Sequence, residues 1–460
     1  MKILTITILL FMLSCGGLQQ NSYMKLENKL LVNDYLGAIK LIKADKENYG
    51  EYNKVLYYMN LGWLYHLSGS LIDTHASLKK ASDYIDDLFT KSASANFSSK
   101  MMNNNNMLPF EGEDFEKIAV SIVKALDYAY HNKFEDAVIE ARKINEDLKF
   151  FNKEREVKTA YQEDAFGRYL AGILYESQHE YSNAYISYHK AYKAYREYNK
   201  HYRVSTPSYL RKALKRLMPK YASSADIDFL QRELADVITE NSKNKGRFVF
   251  VHYNGFAPKK EENSKRLYPR DYDPNSTYQN RILLEYPVFK IRKHRISYAK
   301  VYINNTIYRT ELVQPIDRIA IRDLKDRLIR DFPRMIATKL LRMKTEDTLK
   351  NNSTRKVCRY NRYTRKRDCE YRTRRNSNKS FGWGNVAAMA LKASSDKADL
   401  RSWRLLPAEI QLADIILDPG VYNIKIEYCD NNGYTLQESK FDNVTIEKNK
   451  ETFKWYRTVR

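Results

Sequence analysis

From about residue 24 to residue 242, apolar side chains return every three to four positions, and proline and glycine are scarce. A stretch this long with a single helical period can bury its apolar stripes only by pairing helix against helix, so this half reads as all-α. Small residues mark where the helices must approach closely. Gly172, Tyr175, Ala184, Tyr188 and Ala191 form the clearest set, with a turn at His179-Glu180. Gly62, Tyr65, Leu78 and Ala81 repeat it around Ser68-Gly69-Ser70, and Ala125, Tyr128, Ala137 and Ala141 repeat it around His131-Asn132-Lys133. Tyr35-Leu36-Gly37-Ala38 reads as the second helix of a further, degenerate unit.

Small residues recurring at such helix contacts are the signature of tetratricopeptide (TPR) hairpins. The spacing is uneven, because Gly62, Ala125 and Gly172 open successive copies, so the array is interrupted. One interruption, residues 92–109 with Asn103 to Asn106 inside it, has no period and reads as a polar loop. Residues 24–245 are therefore assigned to a TPR-like superhelix. Such hairpins stack to share a core and leave a concave face for protein partners, and partner binding is expected there. Tyr181, Tyr185, Tyr188, Tyr192 and Tyr195 recur at helical spacing and read as packing residues with their hydroxyls at the surface.

At Asn241 to Gly246 the period changes. Arg247 to Tyr253 reads as a strand ended by Asn254-Gly255, and Ile282 to Tyr286, Ser297 to Ile303 and Thr306 to Leu312 read as further strands. Pro315 to Arg342 has helical spacing, with Pro333 expected to break or kink it. Four strands close the chain at Ile410 to Leu417, Tyr422 to Tyr428, Thr435 to Ile446 and Thr452 to Thr458. Asp418-Pro419-Gly420 and Asn432-Gly433 supply turns between them. Residues 246–460 thus form a smaller mixed α/β module ending in an antiparallel β meander, and the fold class is α+β.

The first residues carry an address. Lys2 precedes an apolar run from Ile3 to Leu13, too short to span a bilayer of roughly 30 Å as a helix, and Ser14-Cys15 follows. Met12-Leu13-Ser14-Cys15-Gly16 has the form of a bacterial lipobox. Residues 1–14 are read as a signal peptide, Cys15 as the lipidated residue, and residues 15–23 as the tether. Gly16 lacks the acidic character of an inner-membrane retention signal, so a lipoprotein of the cell envelope is expected, at the outer membrane facing the periplasm. The membrane is then one partner, held through acyl chains. The net charge of +23 calls for anionic partners. Export sets nucleic acid aside and leaves anionic lipid or cell-wall polymer.

Signatures of catalysis are lacking: there is no HExxH, Walker A, GxGxxG, GxSxG or CxxC pair. Ser121/Lys124 and Ser187/Lys190 have Ser-x-x-Lys spacing by chance within helices. The expectation is no enzyme, no catalytic residue, no metal and no cofactor. Charge concentrates in an insertion at residues 351–380, where 11 Lys and Arg face only Asp368 and Glu370. Cys358 and Cys369 bracket its densest part and are a candidate disulfide that would close a basic hairpin. Arg359, Arg362, Arg365, Lys366 and Arg367 are candidates for contact with an anionic surface, the alternative being a solvated insertion. Asp399, Arg401 and Trp403 form a candidate ligand or structural motif. The structural version has Trp403 buried and Arg401 bound to carbonyls or to Asp399.

The lipobox, Phe110-Glu111-Gly112-Glu113-Asp114-Phe115-Glu116-Lys117, the helix Ala137 to Asn145, Asn254-Gly255-Phe256-Ala257-Pro258-Lys259 and Ala398 to Pro407 occur together in this chain. In this combination the chain resembles an uncharacterised family of TPR-containing bacterial envelope lipoproteins, over roughly residues 24–460. The resemblance implies an envelope-assembly context similar to that of accessory lipoproteins that activate penicillin-binding proteins, and it transfers no catalytic residue. The Cys-bracketed basic stretch departs from the family pattern. Together these readings describe a lipid-anchored scaffold that recruits protein partners, with a cell-wall polymer or anionic-ligand binding protein as the rival.

Overall fold

The computed structural model describes residues 20–94, 109–154, 159–239, 242–268, 282–352, 354–361, 366–373 and 398–459. The lipobox with Cys15, and Arg362 and Arg365, lie outside the described residues.

Ahead of the first strand, ten helices of ten or more residues come in hairpins among the described residues, with only the short turns Lys46–Tyr49 and Glu51–Asn53 between the first two pairs. These are α1 (Gln20–Leu31) with α2 (Tyr35–Ala44), α3 (Lys54–Ser68) with α4 (Leu71–Ser94), and α5 (Asp114–Tyr130) with α6 (Phe134–Glu154). α7 (Ala165–Ser177) with α8 (Tyr181–Tyr202), and α9 (Ser208–Tyr221) with α10 (Ser224–Glu233), complete the series. The region is a helical repeat, and its turns fall where the small-residue pattern places them. Gly69, at φ +79°, closes α3 in the left-handed conformation while Ser70 N–H reaches back to the Tyr65 carbonyl. Helix α5 opens on a capping box in which Glu113 and Glu116 satisfy each other's backbone N–H groups.

The glycines are explained by contact. A Cβ on Gly172 would sit 2.3 Å from the Tyr188 ring, and one on Gly62 would sit 2.5 Å from Leu78 Cδ2. Gly172→Ala is therefore expected to lower stability by about 1–3 kcal/mol, the usual range for overpacking. Urea denaturation measures it, and an unchanged midpoint would mean that the hairpin can open without cost.

The tyrosine stripe of α8 departs from expectation. Tyr185, Tyr188, Tyr192 and Tyr195 are buried, and hydroxyls expected at the surface point inward. Tyr188 OH donates to Glu176 at 2.8 Å and Tyr195 OH donates to the Val313 carbonyl at 2.8 Å. The reason lies in what packs on α8: the helices α7, α9 and α10 and, at Tyr195, Val313 of the C-terminal module.

That module has two main sheets. The first has the order β12-β1-β9-β6, from β1 (Gly246–Asn254), β6 (Glu311–Gln314), β9 (Glu409–Leu417) and β12 (Glu451–Thr458). β1 runs antiparallel to β9 and parallel to β12. The second has the order β11-β10-β4-β5, from β4 (Tyr298–Ile303), β5 (Thr306–Arg309), β10 (Gly420–Cys429) and β11 (Thr435–Ile446). The four closing strands are thus divided between the two sheets, with β10 and β11 forming the antiparallel hairpin. Every residue of β1 is buried because the strand is covered on both faces. Val249, Val251 and Tyr253 enter the core shared with the helices, while Phe248 and Phe250 enter the core between the sheets. Helices, first sheet and second sheet make three layers, and the class is α+β.

A charged segment without apolar alternation, β2 (Lys259–Leu267), pairs with β3 (Ile282–Lys290) as a separate ribbon. The helix α11 (Ile316–Asn352) is not broken at Pro333. Packing on either side of the proline holds it. Ile316, Ile319 and Ala320 lie in the main core, and Phe332, Met335 and Ile336 cluster with Leu267 and Leu284 of the ribbon. Pro333 itself is exposed, as is Ile329, four residues earlier, whose carbonyl proline leaves without its helical donor. The hairpin of β7 (Thr354–Asn361) and β8 (Lys366–Thr373) follows α11 directly. No helix among the described residues is long and apolar enough to cross a membrane.

Candidate functional site

The first helices of the hairpins, α3, α5, α7 and α9, turn toward the β-sheet. From α3, His66 Nε2 lies 3.0 Å from Tyr253 OH, and from α7, Tyr169 OH donates to Asp414 Oδ2 at 2.7 Å. Gln314 at the end of β6 donates to Asp164, the N-cap of α7, at 2.5 Å. The face on which stacked repeats would hold a partner is therefore covered by the chain's own sheet. The expectation of a free concave face is revised accordingly.

One ion cluster pins this interface. Arg247 at the start of β1 donates through Nε and Nη2 to both oxygens of Asp414, at 2.6 and 2.5 Å, and through Nη1 to Glu176 at 3.0 Å. Arg216 of α9 takes the other Glu176 oxygen at 2.6 Å. Burial works against the Glu176 charge, yet Arg247 and Arg216 outweigh it and hold the carboxyl at about 2. A small cleft of about 50 Å³ opens beside the cluster, lined by Tyr209, Lys212, Arg216, Arg247 and Tyr308. Its arginines are occupied by Glu176 and Asp414.

Outward, the second helices show a repeated surface. Ala137 and Ala184 are both fully buried, and two residues beyond each stands an exposed isoleucine. Ile139 on α6 is 58% exposed and Ile186 on α8 is 47% exposed. These positions were not singled out in the sequence, because an apolar residue inside an apolar-periodic helix carries no mark of exposure.

Asp399, Arg401 and Trp403 are brought together as part of a strap laid over the helices. Arg401 donates to both oxygens of Asp399, at 2.9 and 2.7 Å, and reaches Asn53 Oδ1 at 3.2 Å. Trp403 is 1% exposed and its backbone N–H donates to Glu116 Oε1 at 2.7 Å. Burial pushes the Glu116 carboxyl up to about 7, against the pull of Lys260 and of the Trp403 N–H. Lys260 meets Glu113 at 2.5 Å, and Arg327 of α11 meets the other Glu113 oxygen. The strap's polar groups are turned onto helix α5 and the loop before α3, so the motif clasps the two halves of the chain.

In the basic insertion, β7 and β8 pair with Cys358 directly opposite Cys369, and Cys358 is disulfide-bonded and exposed. Arg359 stands opposite Asp368, Arg367 opposite Tyr360, and Lys366 opposite Asn361. Cys429 is a buried free thiol. A further cluster escaped the sequence: Asp127 lies 2.7 Å from His66 Nδ1 and 3.2 Å from His75 Nε2. The three residues come from different helices, so no spacing announces them. Burial raises the Asp127 carboxyl, but hydrogen bonds from both histidines more than offset it and hold it below its usual range. Among the described residues no group of three or more His, Cys, Asp or Glu is placed to hold a metal ion.

No protein-family model matches the chain, and no curated protein does. Among solved structures, the apo form of RapI is similar at a TM-score of 0.33 and 12% identity, covering 47% of this chain and 68% of that one.

Proposed function

We propose that the protein is a non-enzymatic, lipid-anchored adaptor of a bacterial cell envelope. It is tethered through Cys15 to the outer membrane, faces the periplasm, and recruits a protein partner on the outer face of its helical repeats. The observation that carries the reading is the use made of the two repeat faces. The first helices are joined to the chain's own sheet, while the second helices keep Ile139 and Ile186 exposed at equivalent positions. A rigid, self-filled repeat presents such side chains in a fixed row, which lowers the ordering cost of binding.

The test is crosslinking in intact cells followed by mass spectrometry of the tagged protein. Ile139→Asp with Ile186→Asp is expected to leave stability within about 0.5 kcal/mol, because both side chains are exposed, and to abolish the partner crosslink. Cys15→Ala is expected to move the protein from the membrane to the soluble fraction and to lose the same partner. A partner captured equally well by the double variant would remove the outer face from the reading.

A second reading is favoured by the hairpin β7–β8, whose bridged, exposed Cys358 sits in the most basic part of the chain. There the ligand is a cell-wall polymer or anionic lipid.

A further inference from the structure

Strand β12 places Arg457 beside Tyr253 of β1, on the face of the first sheet that meets the helices. Its side chain is among the largest fully buried ones in the structure, at 1% exposure. No described carboxylate pairs with it. Nη2 makes one long hydrogen bond, 3.5 Å to the Gly255 carbonyl, and Nε and Nη1 have no partner. The rings of Trp63 and Phe256 lie 5.3 and 5.0 Å from the guanidinium. Rings offset only part of what a full charge loses on leaving water. Nor does the side chain escape by releasing its proton. Burial, with the neighbouring Arg292 among the smaller contributions, brings it down to about 9, so at neutral pH it is still a cation.

The surroundings repeat the imbalance. Arg292 and Arg404 share one carboxylate oxygen, Glu27 Oε1, at 2.6 and 3.1 Å. Arg292 stacks 4.6 Å from the same Phe256 ring that Arg457 faces. Its other donors go to the carbonyls of Ala257 and Arg404, and Arg404 Nε has no partner. Three guanidiniums thus gather where α1 and α3 meet the C-terminal module, and Glu27 pairs with two of them. Buried donors in a native protein are nearly always satisfied, so unpartnered ones on a buried cation point to a missing acceptor.

We propose that Arg457 is the ligand for a small oxyanion, a carboxylate or phosphate group, with Arg292 and Arg404 supplying the surrounding positive charge. The site is independent of the adaptor surface on α6 and α8. Binding there couples an anion to the junction between the helices and the sheet, because Arg292 and Arg404 already cross that junction to Glu27 of α1.

The test is thermal unfolding of the full chain titrated with sodium phosphate or sodium acetate, with sodium chloride at equal ionic strength as the reference. The wild type is expected to gain about 3–5 °C at roughly 100 times the dissociation constant, and Arg457→Met to gain nothing. Because the variant also removes an unpaired buried charge, its midpoint without oxyanion should equal or exceed the wild-type value. A gain with phosphate alone or acetate alone assigns the anion class, and either supports the site. No gain beyond chloride, or an equal gain in Arg457→Met, overturns it. If that variant does not fold, a selenate-soaked crystal decides: an anomalous peak in contact with Arg457 supports the proposal, and water alone in that place refutes it.

Discussion

Arg247→Met is expected to destabilise the protein by about 3–5 kcal/mol, the range for breaking a buried pair by removing one partner. Three hydrogen bonds of 2.5–3.0 Å tie Arg247 to Asp414 and Glu176, and Tyr169 and Tyr188 converge on the same carboxylates. Loss of the guanidinium leaves Asp414 buried and facing only a tyrosine hydroxyl. The pH dependence should change with it. In the wild type the Glu176 carboxyl is held at about 2 rather than its ordinary 4.5. That depression contributes stability above pH 4.5, which is lost as the pH falls through 2. In the variant part of the depression is gone, and burying a carboxylate without its cation favours the protonated form. The deficit relative to wild type should therefore hold from pH 7 down to about 4.5 and shrink as the pH falls from there toward 2. Urea unfolding at several pH values measures both effects. A uniform deficit across that range would mean that the variant acts through packing and not through charge.

The contacts that make this residue matter are also those that no sequence pattern displays. The hairpins were legible because their constraint is local to a pair of helices: Gly172 must be small because Tyr188, sixteen residues on, lies against it. β1 was legible because Phe248 to Val251 is an unbroken run of β-branched and aromatic residues. What fills the face of the repeat was not, since it rests on pairs such as Tyr169 with Asp414 and His66 with Tyr253. Arg247 reads as an ordinary basic residue ahead of an apolar strand, and only its position between two layers makes it the pivot of an ion cluster. β2 was missed for the opposite reason. Lys-Lys-Glu-Glu-Asn-Ser-Lys-Arg-Leu is a strand because β3 pairs with it, not because its side chains seek a core. Pro333 misled through a real cost, which the packing of Ile319 and Ala320 before it and of Met335 and Ile336 after it outweighs. Arg401 and Trp403 sit in a segment held against α5, a partner that spacing in the sequence could not name.

Binding of the full chain to vesicles containing anionic lipid is expected to weaken about 100-fold when Arg362, Arg365 and Arg367 are replaced by alanine. The estimate takes about 1 kcal/mol for each Lys or Arg near such a surface, and about 1.4 kcal/mol per tenfold in affinity. The fold gives this stretch a base. α11 runs 37 residues, roughly 55 Å at about 1.5 Å per residue, from Ile316 in the main core to the start of the hairpin. The register sets Cys358 against Cys369, with four residues of β7 before the bridge and three after it. On the strand face that Cys358 shares, Lys356 and Tyr360 stand opposite Tyr371 and Arg367, and no acidic residue occurs there. Asp368 and Glu370 fall on the other face, opposite Arg359 and Val357. Because successive residues alternate between faces, the bridge keeps the acid-free face in register. Cys358→Ser with Cys369→Ser should accordingly weaken vesicle binding less than the arginine substitutions, through loss of order and not of charge. Raising salt from 0.1 M should weaken the wild type steeply, since the screening length falls below about 10 Å. Equal binding to zwitterionic vesicles, or affinity that salt leaves unchanged, would exclude a headgroup contact and leave the hairpin as a solvated insertion on a long helix.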